Sequence, residues 1–440
     1  MARSQRIAAL TTAALLAAVS LAGCSSVPDG EGSPRASTDA SASGTASVVH
    51  VPADASLSEA GSKVANGGVI MIAPGTYRES LAVKANDVTV RGEDRNTVII
   101  DGELTRSNGI VATGERPAIE NLTVRNFLQN GILVTGVTDA NGAGVARGPD
   151  GYLPDNIPDP VPGYLVQAVT AQNNGLYGIY AFNRTGGTIE NNLATGGSDS
   201  GIYVGQCADC DASVTGNVVT LNAVGIELAN ASKVSITGNR IAGNRIGLTV
   251  LSNYLEAHGP TRSVQIAGNV IADNNEVKTP EQADGAFGTG IGMSGTVDAL
   301  VTGNLIAGNS NVGVWLDSSD DFAPKGNKIT KNAWSKNGYA AVLSPSKDAA
   351  GSGNCFDFGN AVKTLPAQLA KGVCPAHGLR FDYEQPAAPD GISFAKVART
   401  PERQGLAAVD EAPRKLEDTV KLPDPFALTV PSADLLADPK

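Results

Sequence analysis

Three stretches decide the fold: Gly201-Ile202-Tyr203-Val204, Gly225-Ile226-Glu227-Leu228 and Gly247-Leu248-Thr249-Val250. Each is a glycine followed by apolar residues at every second position, the alternation of a strand with one buried face. The same pattern recurs at Gly109-Ile110-Val111-Ala112, Gly131-Ile132-Leu133-Val134 and Gly178-Ile179-Tyr180-Ala181, and again at Gly290-Ile291-Gly292-Met293 and Gly313-Val314-Trp315-Leu316. The steps between these glycines are 22, 47, 23, 24, 22, 43 and 23 residues, so the unit is about 23 residues and the long steps carry a doubling or an insertion. A second register runs through Asn192, Asn217, Asn239, Asn269, Asn304 and Asn327. A third, five residues on, runs through Asn222, Asn244, Asn274, Asn309 and Asn332. Short strands separated by Gly and Asn corners at this period predict an all-β solenoid, a parallel β-helix. Equivalent residues then stack in columns ~4.8 Å apart. Asn suits the corners because it tolerates left-handed backbone and its amides can hydrogen-bond along a column. Leucine-rich repeats have a similar period, but their Leu-x-x-Leu-x-Leu pattern is missing.

Working outward, all 31 Asn lie between Asn66 and Asn360, so the flanks are sequence of another kind. Charged residues make up 18%, too few for a coiled coil or a charge-rich disordered chain. A net charge of −11 without a basic stripe argues against a nucleic-acid partner. Three scattered His (His50, His258, His377) make no histidine metal cluster.

At the N-terminus, Arg3 and Arg6 precede an apolar run, Ile7 to Leu21, that is shorter than a membrane span and ends in Leu21-Ala22-Gly23-Cys24. This resembles the bacterial lipoprotein signal with its lipobox. The resemblance implies that residues 1–23 are removed and that Cys24 is lipidated and palmitate-bearing. The expected location is extracytoplasmic, with the membrane contacted through the lipid anchor only. Residues 24–47 are a Ser/Ala/Gly linker that cannot form a core. Setting Cys24 aside leaves Cys207, Cys210, Cys355 and Cys374, enough for two disulfides in an oxidising compartment. Proximity favours Cys207–Cys210 and Cys355–Cys374, with other pairings open. A redox or half-zinc role for Cys207-Ala208-Asp209-Cys210 lacks a second CxxC or a nearby His.

The entry segment Val69-Ile70-Met71-Ile72-Ala73-Pro74-Gly75-Thr76-Tyr77-Arg78-Glu79 resembles that of the right-handed, pectin-lyase-like β-helix proteins. Within that group, Tyr177-Gly178-Ile179-Tyr180-Ala181-Phe182, the run Ser198 to Cys210, and Gly353-Asn354-Cys355-Phe356 followed by Cys374 resemble bacterial exported β-helix lipoproteins. The resemblance implies a right-handed helix over 48–377 with a capping helix near 56–66. It also implies that the long outward sheet is the floor of a saccharide groove. It carries no established reaction.

In each Gly-Ile-x-Val unit, x points outward. That column reads Val111, Leu133, Tyr180, Tyr203, Glu227, Thr249, Gly292, Trp315. The next reads Thr113, Thr135, Phe182, Gly205, Ala229, Leu251, Ser294, Asp317. With only 20 aromatics in the chain, the cluster Tyr180, Phe182, Tyr203 and the more distant Trp315 are candidates for stacking against sugar, with Gln206 and Glu227 beside them. The alternative is that the insertion between Gly131 and Gly178, or the tail, covers them. Glu227 and Asp317 sit three coils apart, roughly 14 Å, whereas paired glycosidase carboxylates lie ~5–9.5 Å apart, so these two form no such pair. Asp317, Asp320 and Asp321 are metal candidates for a hard cation such as Ca²⁺, and no other cofactor is expected. Asp199 beside Tyr203 and Gln206 is a further polar centre or a corner cap.

No Lys, Arg or His stands in either column, and no lyase, hydrolase or epimerase motif is recognisable. The Asp-Pro-His-Asp, Gly-His-Gly and Arg-Ile-Lys motifs of related enzymes are absent. The reading is therefore a surface lipoprotein that binds carbohydrate or envelope polymer through the aromatic patch. The alternative is a polysaccharide lyase, glycoside hydrolase or uronate epimerase of the same superfamily. Residues 378–440 read as a Pro-rich extended tail, wrapping or disordered, with a short helix near Gln404–Lys415.

Overall fold

The structure is a computed structural model. It describes residues 44–139, 143–144, 157–254, 256–281, 285–319 and 322–437. Three parallel sheets of 12, 10 and 11 strands wind about a common axis, and the chain visits them in rotation. One turn is Ala212–Thr215 in the first sheet, Val218–Thr220 in the second and Val224–Ala231 in the third. The next is Val234–Thr237, Arg240–Ala242 and Ile246–Leu251. Parallel pairing holds each apolar position over its equivalent, as in Ile202↔Ile226, Ile226↔Leu248, Leu248↔Ile291 and Ile291↔Val314. These side chains fill the interior as one continuous core. The parallel β-helix expected from the repeat, with the right hand that the resemblance implies, is the fold observed.

The corners work differently from the expectation. The ladder asparagines are not themselves left-handed; the residue before each one is. Gly216, Gly238, Gly268, Gly303 and Lys331 have φ of 65°, 64°, 66°, 63° and 55° ahead of Asn217, Asn239, Asn269, Asn304 and Asn332. Glycine adopts that conformation without a Cβ clash, so the Gly-Asn dipeptide divides the work. Glycine turns the chain and Asn points inward to bond the coils. Asn217 Nδ2 donates to Asn239 Oδ1 at 3.0 Å and to the Ile189 carbonyl at 2.9 Å. The first ladder ends Asn304–Asn332 and the second Asn309–Asn337, so Asn327 and Asn332 are shifted from the positions the spacing suggested. Asn327 instead starts a separate ladder with Asn354 at the entry to the first sheet.

The N-terminal end is closed by the helix Leu57–Lys63, which buries Leu57 and Ala60, with the Glu59 carboxylate accepting from Ser56 N–H at 3.2 Å. The other end is closed by the short 3-10 turn Ala367–Lys371, which buries Leu369. Both disulfides, Cys207–Cys210 and Cys355–Cys374, are formed. Cys24, the leader and most of the linker lie outside the described residues.

The tail is ordered and wraps the solenoid. It leaves the last coils at Tyr383 and passes Arg245, whose guanidinium donates to the Pro389 carbonyl. It then reaches Asn173, which donates to the Phe394 carbonyl at 2.8 Å, and the first coil, where Glu411 bonds His50 at 3.0 Å. It returns past Arg116 to Arg240, which bonds Asp418 and the Ala433 carbonyl respectively. The helix expected near 404–415 does not form. There the backbone is committed to solenoid side chains: Arg95 takes the Gln404 carbonyl at 3.0 Å, Arg91 takes those of Asp410 and Ala412, and Arg414 N–H goes to Thr89.

Candidate functional site on the third sheet

The outward columns read from the sequence are the ones formed. Leu133, Tyr180, Tyr203, Glu227, Thr249, Gly292 and Trp315 pair in unbroken register, and so do Thr135, Phe182, Gly205, Ala229, Leu251, Ser294 and Asp317. What lies above them divides this face into three zones.

The first zone is the aromatic patch, and it is closed. Tyr180, Phe182 and Tyr203 are 6%, 2% and 3% exposed. Tyr180 meets Tyr203 edge-on at 4.4 Å and Phe182 at 5.5 Å, and Tyr177 lies 4.4 Å from Tyr180. Val137 and Ile157 of the insertion, with Leu176 and Ala257, pack over the rings. The exposed stacking platform suggested by the sequence is thus a second hydrophobic core outside the coil. Each aromatic ring is worth more buried than wet, and the insertion supplies the cover.

The second zone is acidic. Glu227 is buried beside the rings and accepts a hydrogen bond from the Ser200 hydroxyl. Burial pushes its carboxyl well above the ordinary range, and like charge on Asp199 and Glu256 pushes the same way, while the Ser200 bond opposes. Burial likewise raises the hydroxyls of Tyr177 and Tyr203. Gln206, buried and left-handed at φ 59°, donates its amide to the Glu256 carboxylate. Burial and the neighbouring carboxylates thus both favour the protonated form of Glu227 over the ionised one.

The third zone is only partly covered: Gly292, Ser294 and Asp317 keep some exposure, while Trp315 is 3% exposed. A small crevice has Thr249, Gly292, Ser294 and Asp317 in its floor, Trp315 at one side, and Ala286 and the tail residue Gln385 as walls. The indole N–H of Trp315 donates to Ser344 Oγ at 2.6 Å, and Tyr383 closes over the ring edge-on at 5.2 Å. Gln385 Oε1 accepts from Ala286 N–H at 2.5 Å, joining the tail to the loop that forms the wall. The sequence reading named Trp315 and Asp317 but missed Gln385 and Tyr383, which arrive from roughly 70 residues further along the chain. It also missed Tyr177, which sits in a turn where alternation says nothing.

Asp320 and Asp321 lie outside the described residues. Among the described residues there is no group of three or more His, Cys, Asp or Glu placed to hold a metal ion. Asp317 accepts from Ser318 N–H at 2.8 Å.

The family model for the right-handed beta helix region matches residues 163–333. With three parallel sheets wound in rotation, the chain has the right-handed parallel β-helix fold. Among solved structures, it is similar to the A-module of a mannuronan C-5 epimerase from Azotobacter vinelandii. That match has 17% identity and a TM-score of 0.42, and covers 64% of this chain and 84% of that one. It is also similar to the DFA-IIIase of Arthrobacter chlorophenolicus A6, with 16% identity, a TM-score of 0.40, and 68% and 82% of the two chains covered. None of the curated proteins matches the sequence.

Proposed function

We propose that this chain is an extracytoplasmic, lipid-anchored β-helix that binds a saccharide of the cell envelope in the crevice of its third sheet. The observation that carries this reading is the crevice itself. It sets apolar side chains and one side of the largely buried Trp315 beside Thr249, Ser294, Asp317 and Gln385, on a sheet whose tyrosine patch is covered. Sugars present both C–H faces and hydroxyls, and a cleft of mostly apolar walls with a few polar groups suits them. The lipobox reading of Leu21 to Cys24 supports the location. Ca²⁺ has no assigned part, because Asp317 is the only described member of its expected ligand set.

Gly292 provides the test. A Cβ built there meets nothing closer than 3.9 Å, so a side chain can enter the crevice from this position, and the thermal midpoint of Gly292→Phe is recorded to show that the sheet holds. Affinity electrophoresis against a panel of glycans should show retardation of the wild type and at least about ten-fold weaker retardation of the variant. Equal retardation of the two removes the crevice from consideration.

A second reading, glycoside chemistry, is favoured by one observation: Glu227 is buried close to Asp199, and burial and that like charge both raise its carboxyl. A carboxylic acid kept protonated near neutral pH is what protonation of a leaving group requires. Reducing-end release on neutral glycans, lost in Glu227→Gln, is the expected result on this reading; no release by the wild type across the panel excludes it.

A further inference from the structure

We infer that the space over Gly292 is a pit that takes the terminal residue of a glycan chain and does not thread an internal one. This rests on the saccharide-binding reading above and assigns which part of the polymer is held.

A sugar unit is about as long as one coil spacing, ~4.8 Å, so a polymer lying along the sheet needs several successive coils uncovered. Here the uncovered stretch in the column through Gly292 is one coil long. Thr249 on one side is 5% exposed and Trp315 on the other 3%, whereas Gly292 keeps some exposure. Burial continues in both directions, to Glu227 beyond Thr249 and to Val342 beyond Trp315. The two closures have different origins. On the Thr249 side, Leu251 belongs to the apolar cluster that also covers the tyrosines. On the Trp315 side, Tyr383 of the tail lies edge-on to the indole at 5.2 Å, and its hydroxyl donates to Asn311 Oδ1. A third side is walled by Ala286 and Gln385, which are joined by a hydrogen bond. Among the described residues, the side that keeps exposure is the fourth, over Ser294 and Asp317. The space itself exists because residue 292 has no side chain: a Cβ built there would still be 4.0 Å from Thr249 Cγ2, the methyl that faces it. The coils of Thr249 and Trp315 stand two spacings apart, ~9.6 Å, so the gap admits about one ring set on edge. An internal sugar residue carries a glycosidic bond at each of two opposite edges of its ring and needs two ways out. Threading it here would drive one linkage into a wall, whereas a terminal residue needs only the one open side.

Calorimetric titration of the full chain with oligomers of defined length, from dimer to hexamer, separates the outcomes. The probes are β-linked glucose, β-linked N-acetylglucosamine and α-linked galacturonate series. In a series that binds, affinity per molecule should stay within about two-fold from dimer to hexamer, because only the end is held. Borohydride reduction blocks the reducing end and a methyl ether on O4 blocks the other; one of these two caps should weaken binding at least about ten-fold. Tyr383→Ala removes the wall over Trp315 and should make affinity rise with length, by about ten-fold from dimer to hexamer. Its thermal midpoint is recorded to show that it folds. Wild-type affinity that climbs with each added unit, indifference to both caps, or a length series that stays flat in Tyr383→Ala overturns end recognition and leaves saccharide binding standing. Failure of every oligomer to bind overturns the saccharide reading itself.

Discussion

Glu227 shows how one outward position can change character within a column. Its neighbour on one side is Tyr203 and on the other Thr249, and like Tyr203 it is buried. A glutamate ordinarily titrates near 4.5, and here burial, then Asp199 and Glu256, hold the carboxyl protonated to higher pH. Above the ordinary value the folded chain retains a proton that the unfolded chain has released. The unfolded state binds fewer protons, so stability falls as pH rises from that value through the raised one. Below it the contribution is complete. Glu227→Gln abolishes this dependence. Between about pH 5 and about pH 8, the urea midpoint of the wild type should therefore decline relative to that of the variant. Parallel curves would mean that Glu227 is already ionised. The sequence placed Glu227 on the outward face correctly. It could not supply the direction in which its carboxyl shifts, which depends on burial and on Asp199 and Glu256.

At the scale of the coil, stability resides in the Asn ladders as much as in the apolar columns. Asn239 Oδ1 accepts from the backbone N–H of Asn217 at 2.9 Å and from its side chain at 3.0 Å, and Asn239 Nδ2 donates to the Val214 carbonyl at 2.9 Å and to Asn269 at 3.0 Å. All of this is buried. Asn239→Ala orphans several groups at once and should cost about 3 kcal/mol, since each buried group left unpaired costs ~1–3 kcal/mol. Gly238→Ala, one residue earlier, has open space around the new Cβ and meets only the strain of φ 64°. It should cost ~1–2 kcal/mol. Chemical unfolding of the two variants tests the division of work at the corner, and the reverse order would refute it. The ladder itself was legible up to Asn304 because the steps stay close to the repeat. It slipped at Asn327 because the third-sheet turn after Asp317 is long, which puts Asn332 rather than Asn327 in line. Spacing alone favours the shorter step; only the strand pairing decides between them.

For the molecule as a whole, the tail is a strap held mainly by polar contacts. Arg91 and Glu120, both buried, pair at 2.8 Å, and the tail adds Arg414 to Glu120 at 2.6 Å and the Asp410 carboxylate to Arg91 at 3.0 Å. Among its described residues only Val397 and Pro425 are buried. Little hydrophobic free energy therefore depends on it, and truncation after His377 should leave the coil folded with a cooperative melt. The same truncation uncovers Trp315, which is 3% exposed under Tyr383. A red-shifted tryptophan emission with retained β-sheet circular dichroism is the expected result. Loss of the β-sheet signal would show that the strap is part of the folding unit.

The sequence by itself determined the solenoid, its period, its outward columns and the pairing favoured for its cysteines. These follow from local alternation and from a repeat that every coil imposes on the next. Tertiary structure alone decided which part of the outward face is open. The aromatic patch is covered by an insertion, and the crevice is completed by a tail residue from far along the chain. Burial is set by what lies over a surface, and no periodic pattern encodes that.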